Sequence, residues 1–326
     1  MTTEVTTVGE VIVDFVSTAS GTGLQKAPGF IKAAGGAPAN VAIGLARLGT
    51  RSAFIGKVGA DSFGRFLEST LRREGVNTRG LRFDRIHKTR LAFVSLDASG
   101  GREFEFWERF PADEQLSASD VSPDVLSASK VVHISSFMLL KKRTRTTVRY
   151  IASVVRKKHR LLSFDPNLRL DLWESHRQAR QQVMEMVGHS DIVKLNAGEA
   201  RFLTGRRVYS RAASHIRSSG PSLVVITDGP KGCFFQTEKH EGKAAGFRVR
   251  AVDTTGCGDA FLAGLLHGIV RNHAHPSALN AGELLRICQY ANAVGALTSL
   301  QRGAITALPT AKQVDRLLTG RHGRAQ

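Results

Sequence analysis

The sequence predicts an α/β fold: a mostly parallel sheet with helices on both faces, and a small β-sheet lid added to it. Three observations carry this. Short apolar, β-rich runs alternate with helix-length amphipathic segments almost throughout, the pattern of βαβ crossovers. Several of these runs end in polar or acidic residues, as buried parallel strands do when chemistry sits at their carboxyl ends. Two stretches break the rhythm and read as extended segments instead of crossover units.

In chain order, "TEVTTVGEVIVDF" (3–15) reads as a strand, and "VDFVSTASGTGLQKAPGFIKAAGG" (13–36) as extended segments joined by flexible loops. "APANVAIGLARLG" (37–49) is a helix with Pro38 in its first turn and glycine at its end. "RSAFIGKVG" (51–59) is a strand and "SFGRFLESTLRREG" (62–75) a helix closed by glycine. "TRLAFVSLDASGGREFEFW" (89–107) alternates on either side of Ala98, Ser99, Gly100 and Gly101, a hairpin signal; Trp107 on it could stack on a ligand, but a core role is expected. The runs "KVVHISS", "HRLLSFDPN", "DIVKLN" and "SLVVITDG" complete the set of buried strands. A single domain spans 1–318, with lid segments at about 12–34 and 88–110 and a basic tail at 319–326.

Composition narrows the function. At 326 residues and 42% hydrophobic content the chain can bury one large core. No stretch approaches the roughly 20 apolar residues of a membrane span, and the first residues do not read as a signal peptide. Three cysteines, Cys233, Cys257 and Cys288, have no metal-ligand spacing and cannot form a complete disulfide set. A cytoplasmic setting is expected. The net charge of +18 favours anionic partners. No acid occurs between Val125 and Phe164, but the bases there interleave with Val148, Ile151, Val154 and Val155, as on a helix with one buried side. A solvated face explains them better than a nucleic-acid surface, because no aromatic interleaving or binding motif accompanies them.

The stretch "DTTGCGDAFLAGLL" (253–266) puts two glycines and a carboxylate where a helix begins. Asp259 could simply cap that helix. Alternatively, amides at Gly256, Cys257 and Gly258 hold an anion, and Asp259 accepts a proton from an attacking hydroxyl. G-x-x-x-x-G-K-[ST] is absent, and Phe261 stands where a dinucleotide fingerprint wants glycine or alanine. In "GGAPANVAIGLARLG", Gly35 and Gly36 allow close approach of a ligand, and Asn40 offers donor and acceptor to sugar hydroxyls; a plain loop-to-helix junction is the competing reading. Asp14, late in the first strand, is similarly ambiguous.

Together these two stretches resemble the paired signatures of the PfkB (ribokinase-like) carbohydrate kinases. The resemblance continues through "GKVGADSFG", "FEFWERFPADEQL", "DPNLRLDLW", "KLNAGEARFLTG", "VITDGPKGCFF" and "ANAVGALTSLQRGAITALP", and is greatest to the fructokinases of that family. It implies a ribokinase-like three-layer core and an ATP-dependent sugar kinase using Mg2+. Asp259 is then the base, with the amides of Gly256, Cys257 and Gly258 as the anion hole; Cys257 stands where alanine is common. Asp14, Gly35, Gly36 and Asn40 hold the sugar, with Arg109 and Arg169 as further contacts to substrate or phosphate. Asn196 and Glu199 form the N-x-x-E element that works with magnesium and phosphates, although "NAGEA" lacks the acidic middle residues frequent there. Thr227, Gly229 and Asn292 fall at nucleotide contacts. Asp253 and Thr255 correspond to backbone positions near a monovalent-cation site, K+ in several members. The expected reaction is fructose to fructose 6-phosphate. A sugar-acid (2-keto-3-deoxygluconate) kinase is the alternative, and a silent relative acting through protein or nucleic-acid contacts the more distant one. A homodimer through the lid is a further expectation.

Overall fold

The computed structural model describes residues 3–19, 21–96, 102–107 and 109–320. In chain order the elements are β1 (Val5–Val8), β2 (Ile12–Ser17), β3 (Phe30–Gly35), α1 (Ala37–Arg47), β4 (Ser52–Gly59), α2 (Ser62–Arg73), β5 (Asn77–Asp84), β6 (Leu91–Leu96), β7 (Arg102–Phe106), α3 (Pro123–Ser127), β8 (Val131–Ser135), α4 (Lys142–Lys157), β9 (Leu161–Asp165) and α5 (His176–His189). There follow β10 (Ile192–Asn196), α6 (Ala197–Thr204), α7 (Tyr209–Arg217), β11 (Leu223–Thr227), β12 (Cys233–Gln236), β13 (Glu241–Ala244), α8 (Cys257–Arg271), α9 (Ala281–Thr298) and α10 (Ala311–Leu318).

The large sheet has nine strands in the order β13-β12-β11-β10-β9-β8-β1-β4-β5. It is parallel from β11 to β5, and β12 and β13 add an antiparallel edge. Alternate strand residues enter two different cores. Val225 and Cys233 pack with α1, α2, α8, α9 and α10. Val224, Ile226 and Phe234 pack with α3 to α7 on the other face. This is the three-layer arrangement expected, with the carboxyl ends of the parallel strands β1, β8, β9, β10 and β11 along one edge.

The run 3–15 is not one strand. It divides between the two sheets, β1 joining the large one and β2 the small one. Gly9 makes the break: it has φ +153°, and a Cβ there would lie 2.6 Å from Pro38 Cγ. The small sheet has the order β3-β2-β6-β7, with β2 and β6 parallel at its centre and antiparallel partners outside. Its strands, 12–17, 30–35, 91–96 and 102–106, form the small sheet expected beside the core. Phe15 stacks on Phe93 at 5.2 Å and meets Phe63 of α2 edge-on at 5.8 Å, which fastens this sheet to the core. Trp107 is not a core residue: it is 69% exposed and touches Phe93 only edge-on. The hairpin turn at 97–101 and tail residues 321–326 lie outside the described residues. In α4, Val148, Ile151 and Val155 are buried as expected, Val154 is half-buried, and most of the bases are exposed; Arg149 pairs with Glu185 at 2.7 Å. No helix among the described residues is long and apolar enough to cross a membrane.

Candidate active site

Two helices begin at the carboxyl edge of the sheet with a glycine in place of a side-chain cap. Gly36 precedes α1 with φ +103°, and Gly256 precedes α8 with φ +74°. Neither tolerates a side chain: a Cβ on Gly36 would sit 2.6 Å from the Glu10 carbonyl oxygen, and one on Gly256 2.8 Å from Ala304 Cβ. In α1 the Ala37 amide donates to Glu10 Oε1 at 3.0 Å; in α8 the N-cap glycine supplies no side-chain cap, and the amides of its first turn carry partial positive charge. The Cys257 amide makes one long turn contact, 3.3 Å to Thr254 O.

The two helices pack together and bring Asn40 to Asp259. Asn40 Nδ2 donates to Asp259 Oδ2 over 2.8 Å, and both side chains are buried. Both line a cavity of about 170 Å³, shared with Glu10, Asp14, Gly36, Ser135 and Arg169. The small sheet closes one side with Ile12, Asp14, Ala92 and Phe106, so it covers the cavity as a lid would. Three buried polar atoms in this wall, Glu10 Oε2, Asn40 Oδ1 and Ser135 Oγ, have no hydrogen-bond partner among the described residues. Orphaned buried polar atoms are rare, and several converging on one cavity fit a ligand rich in hydroxyl groups.

Burial also sets the acidities. It pushes the Asp259 carboxyl up to about 6, against the opposing Asn40 hydrogen bond. Asp14 is pushed up to about 7, and Glu10 to about 8, in each case mainly by burial. At neutral pH Asp259 is therefore mostly ionised and Glu10 mostly neutral. Gly35 leaves the room that Asp14 occupies, because a Cβ there would run into the Asp14 carboxylate.

Asn196 and Glu199 form a capping box on α6. Asn196 Oδ1 accepts from the Glu199 amide at 2.9 Å, and Glu199 Oε2 from the Asn196 amide at 2.7 Å. Glu199 is buried and its other oxygen accepts from Leu168 N at 2.8 Å, so the pair is firmly fixed at the end of β10. Among the described residues no three His, Cys, Asp or Glu side chains are placed to hold a metal ion. A magnesium ion in a kinase needs no such cage; one or two carboxylates, phosphates and waters suffice, and Glu199 retains lone pairs for that purpose.

The remaining candidates separate. Arg169 stands at the cavity rim, its Nη1 donating to Asn167 Oδ1 at 2.9 Å. Arg109 is exposed, lies over the Phe110 ring at 5.4 Å and does not line the cavity. Thr227 ends β11 beside Asn196, and Gly229 follows with φ +50°. Asn292 is buried on α9, donating to Ala244 O and Ala245 O at 3.0 and 3.1 Å and so holding the end of β13. The Asp253 carboxylate accepts from Thr255 N, Thr255 Oγ1 and Gly303 N, which fixes the loop before α8 and leaves backbone carbonyls as the groups available to a monovalent cation.

Sequence reasoning missed Glu10, Ser135, Asp165 and Lys194. The signal for Glu10 was a charge inside an apolar run. For Ser135 and Asp165 it was a polar residue at the carboxyl end of a buried strand, and for Lys194 a charge in the middle of the buried strand β10.

A model of the pfkB family of carbohydrate kinases matches residues 2–311. Fructokinase-2 of Solanum habrochaites is 41% identical over 313 residues, covering 96% of this chain and 95% of that protein. A Vibrio cholerae O395 fructokinase, solved with fructose, ADP and calcium, superposes with a TM-score of 0.87 at 35% identity, covering 97% of this chain and 99% of the other. A Xylella fastidiosa fructokinase with bound ATP gives a TM-score of 0.90 at 28% identity, covering 98% and 99%.

Proposed function

The chain belongs to the pfkB family of carbohydrate kinases, and on that premise we propose that it transfers the γ-phosphoryl group of ATP to D-fructose, giving fructose 6-phosphate and ADP. The observation that carries this reading is the Asn40–Asp259 contact, which joins a polar, hydroxyl-matching pocket to the mouth of α8. Asp14, Gly35, Gly36 and Asn40 hold the sugar, with Arg169 at the rim. Asp259 takes the proton of the attacking hydroxyl. That oxygen forms a new bond to the γ-phosphorus, the bond to the β,γ-bridging oxygen breaks, and ADP leaves. The transition state is loose, so a carboxylate of moderate basicity suffices and most acceleration comes from alignment and charge stabilisation. The amides of Gly256, Cys257 and Gly258 face the phosphoryl oxygens. Asn196 and Glu199 would hold magnesium at the phosphates, where it neutralises charge. Thr227, Gly229 and Asn292 line the nucleotide side, and backbone groups near Asp253 and Thr255 suit K+.

The small sheet closes over the sugar and excludes water, limiting ATP hydrolysis. Val16 and Ile31, paired across β2 and β3, are 42% and 63% exposed on this sheet, and a homodimer through that apolar row belongs to the same reading. So does a cytoplasmic location, in keeping with three cysteines that form no disulfide. A sugar-acid kinase is the second reading, favoured by the Arg169 guanidinium at the rim. A coupled ADP-release assay across fructose, 2-keto-3-deoxygluconate, ribose, adenosine and tagatose 6-phosphate tests both: fructose is expected to give the highest kcat/KM, and preference for any other acceptor overturns the assignment.

A further inference from the structure

Lys194 is a buried cation at the site for which the reading above has no task. Alternation along β10 turns Val193 and Leu195 into the core beneath α4 to α7, and so turns Lys194 toward the face that carries α8. Its Nζ donates to Asp165 Oδ2 over 2.8 Å, with the two side chains only 6% and 4% exposed. Asp165 is itself fixed, because its Oδ1 accepts from Asn167 N at 3.1 Å. A Cβ on Gly258 would lie 3.2 Å from Lys194 Nζ, so the ammonium rests against the backbone of the first turn of α8. Besides Asp165, the buried carboxyl groups of Glu199 and Asp259 also act on its charge.

A buried ion pair is a poor way to stabilise a fold, since desolvation consumes most of its attraction. It is well placed for a different purpose. Three acids and an incoming triphosphate would concentrate negative charge at one helix end, in surroundings where Coulomb forces are weakly screened. We infer that Lys194 supplies the fixed positive charge behind the anion hole, that Asp165 positions it, and that its effect is felt in the phosphoryl-transfer step more than in binding either substrate. The absence of a side chain at Gly258 is what lets that charge approach. Asp165 is thus a positioning residue acting through Lys194.

This inference rests on the kinase reading, which wild-type turnover tests separately. The variants to compare are Lys194→Met, Asp165→Asn and the double variant Lys194→Met/Asp165→Asn, each with its melting temperature and its KM for ATP and fructose. Lys194→Met leaves Asp165 buried without its partner and is expected to melt early; the double variant removes both charges and should recover the melting temperature. Lys194→Met and the double variant are expected to lose about 100-fold or more in kcat, the scale for removing one transition-state donor, with both KM values within about three-fold. Asp165→Asn, which keeps the ammonium, should lose far less. A double variant that recovers turnover together with stability would overturn the inference, as would an Asp165→Asn loss equal to that of Lys194→Met. Binding of ADP with aluminium fluoride and fructose gives a second readout: Asp165→Asn should retain it, and its loss there with ADP binding intact would also overturn the proposal.

Discussion

Asn40 and Asp259 stand 219 positions apart in sequence and 2.8 Å apart in space, amide nitrogen to carboxylate oxygen. The contact exists because α1 and α8 pack side by side with both glycine-started ends at the same edge of the sheet. It ties the proposed sugar-holding half of the cavity to the proposed base, and it lowers the carboxyl pKa that burial raises.

The pH dependence of turnover follows from that balance. Asp259 accepts a proton only when ionised, and its carboxyl sits at about 6. Turnover should fall as pH drops through about 6 with the loss of one ionised group, and level off above it. A kcat–pH profile flat through this window would remove Asp259 from the proton-transfer role.

Replacing Asn40 with leucine removes the hydrogen bond that favours the ionised form. The acid limb should then move to higher pH, and the KM for fructose should rise, since Asn40 Oδ1 is one of the orphaned atoms facing the cavity. Kinetics across pH on this variant, beside the wild type, measure both effects; a limb that stays in place contradicts the coupling.

Gly35→Ala puts a methyl group where the Asp14 carboxylate lies. Because the displacement falls on the sugar side, KM for fructose should rise about ten-fold, equivalent to about 1.4 kcal/mol, with KM for ATP little changed. Steady-state kinetics with each substrate varied in turn separate the two.

Arg90 joins the lid to the segment after it. Its Nε donates to both Asp113 oxygens at 3.0 and 3.1 Å, its Nη2 reaches Glu114 at 2.8 Å, and Arg90 and Asp113 are each 5% exposed. Arg90→Met strands a buried carboxylate and should destabilise the protein by about 3–5 kcal/mol. The urea midpoint should drop with an unchanged slope.

Much of this architecture was legible in the chain. The strands at 130–136, 159–167, 191–196 and 222–229 were marked by apolar runs ending in polar residues, and the helices by capping glycines and Pro38. What periodicity could not show was where the chain changes sheets: a single alternating run, 3–15, serves two sheets because Gly9 alone turns it. Trp107 was misjudged because an aromatic residue in a strand says nothing about which face is covered. At the site, Asp259, Asn40 and the two glycine pairs were readable because their backbone demands are local. Glu10, Ser135, Asp165 and Lys194 were not, because each matters only through partners brought to it from other strands.

The most direct test of the account is turnover of Asp259→Asn with ATP and fructose, beside ADP affinity measured by calorimetry. Loss of the base should lower kcat by about 10³-fold, within the range general base catalysis supplies, while ADP binds as to the wild type. A variant that keeps a tenth of wild-type turnover would contradict the assignment of the proton to this carboxylate.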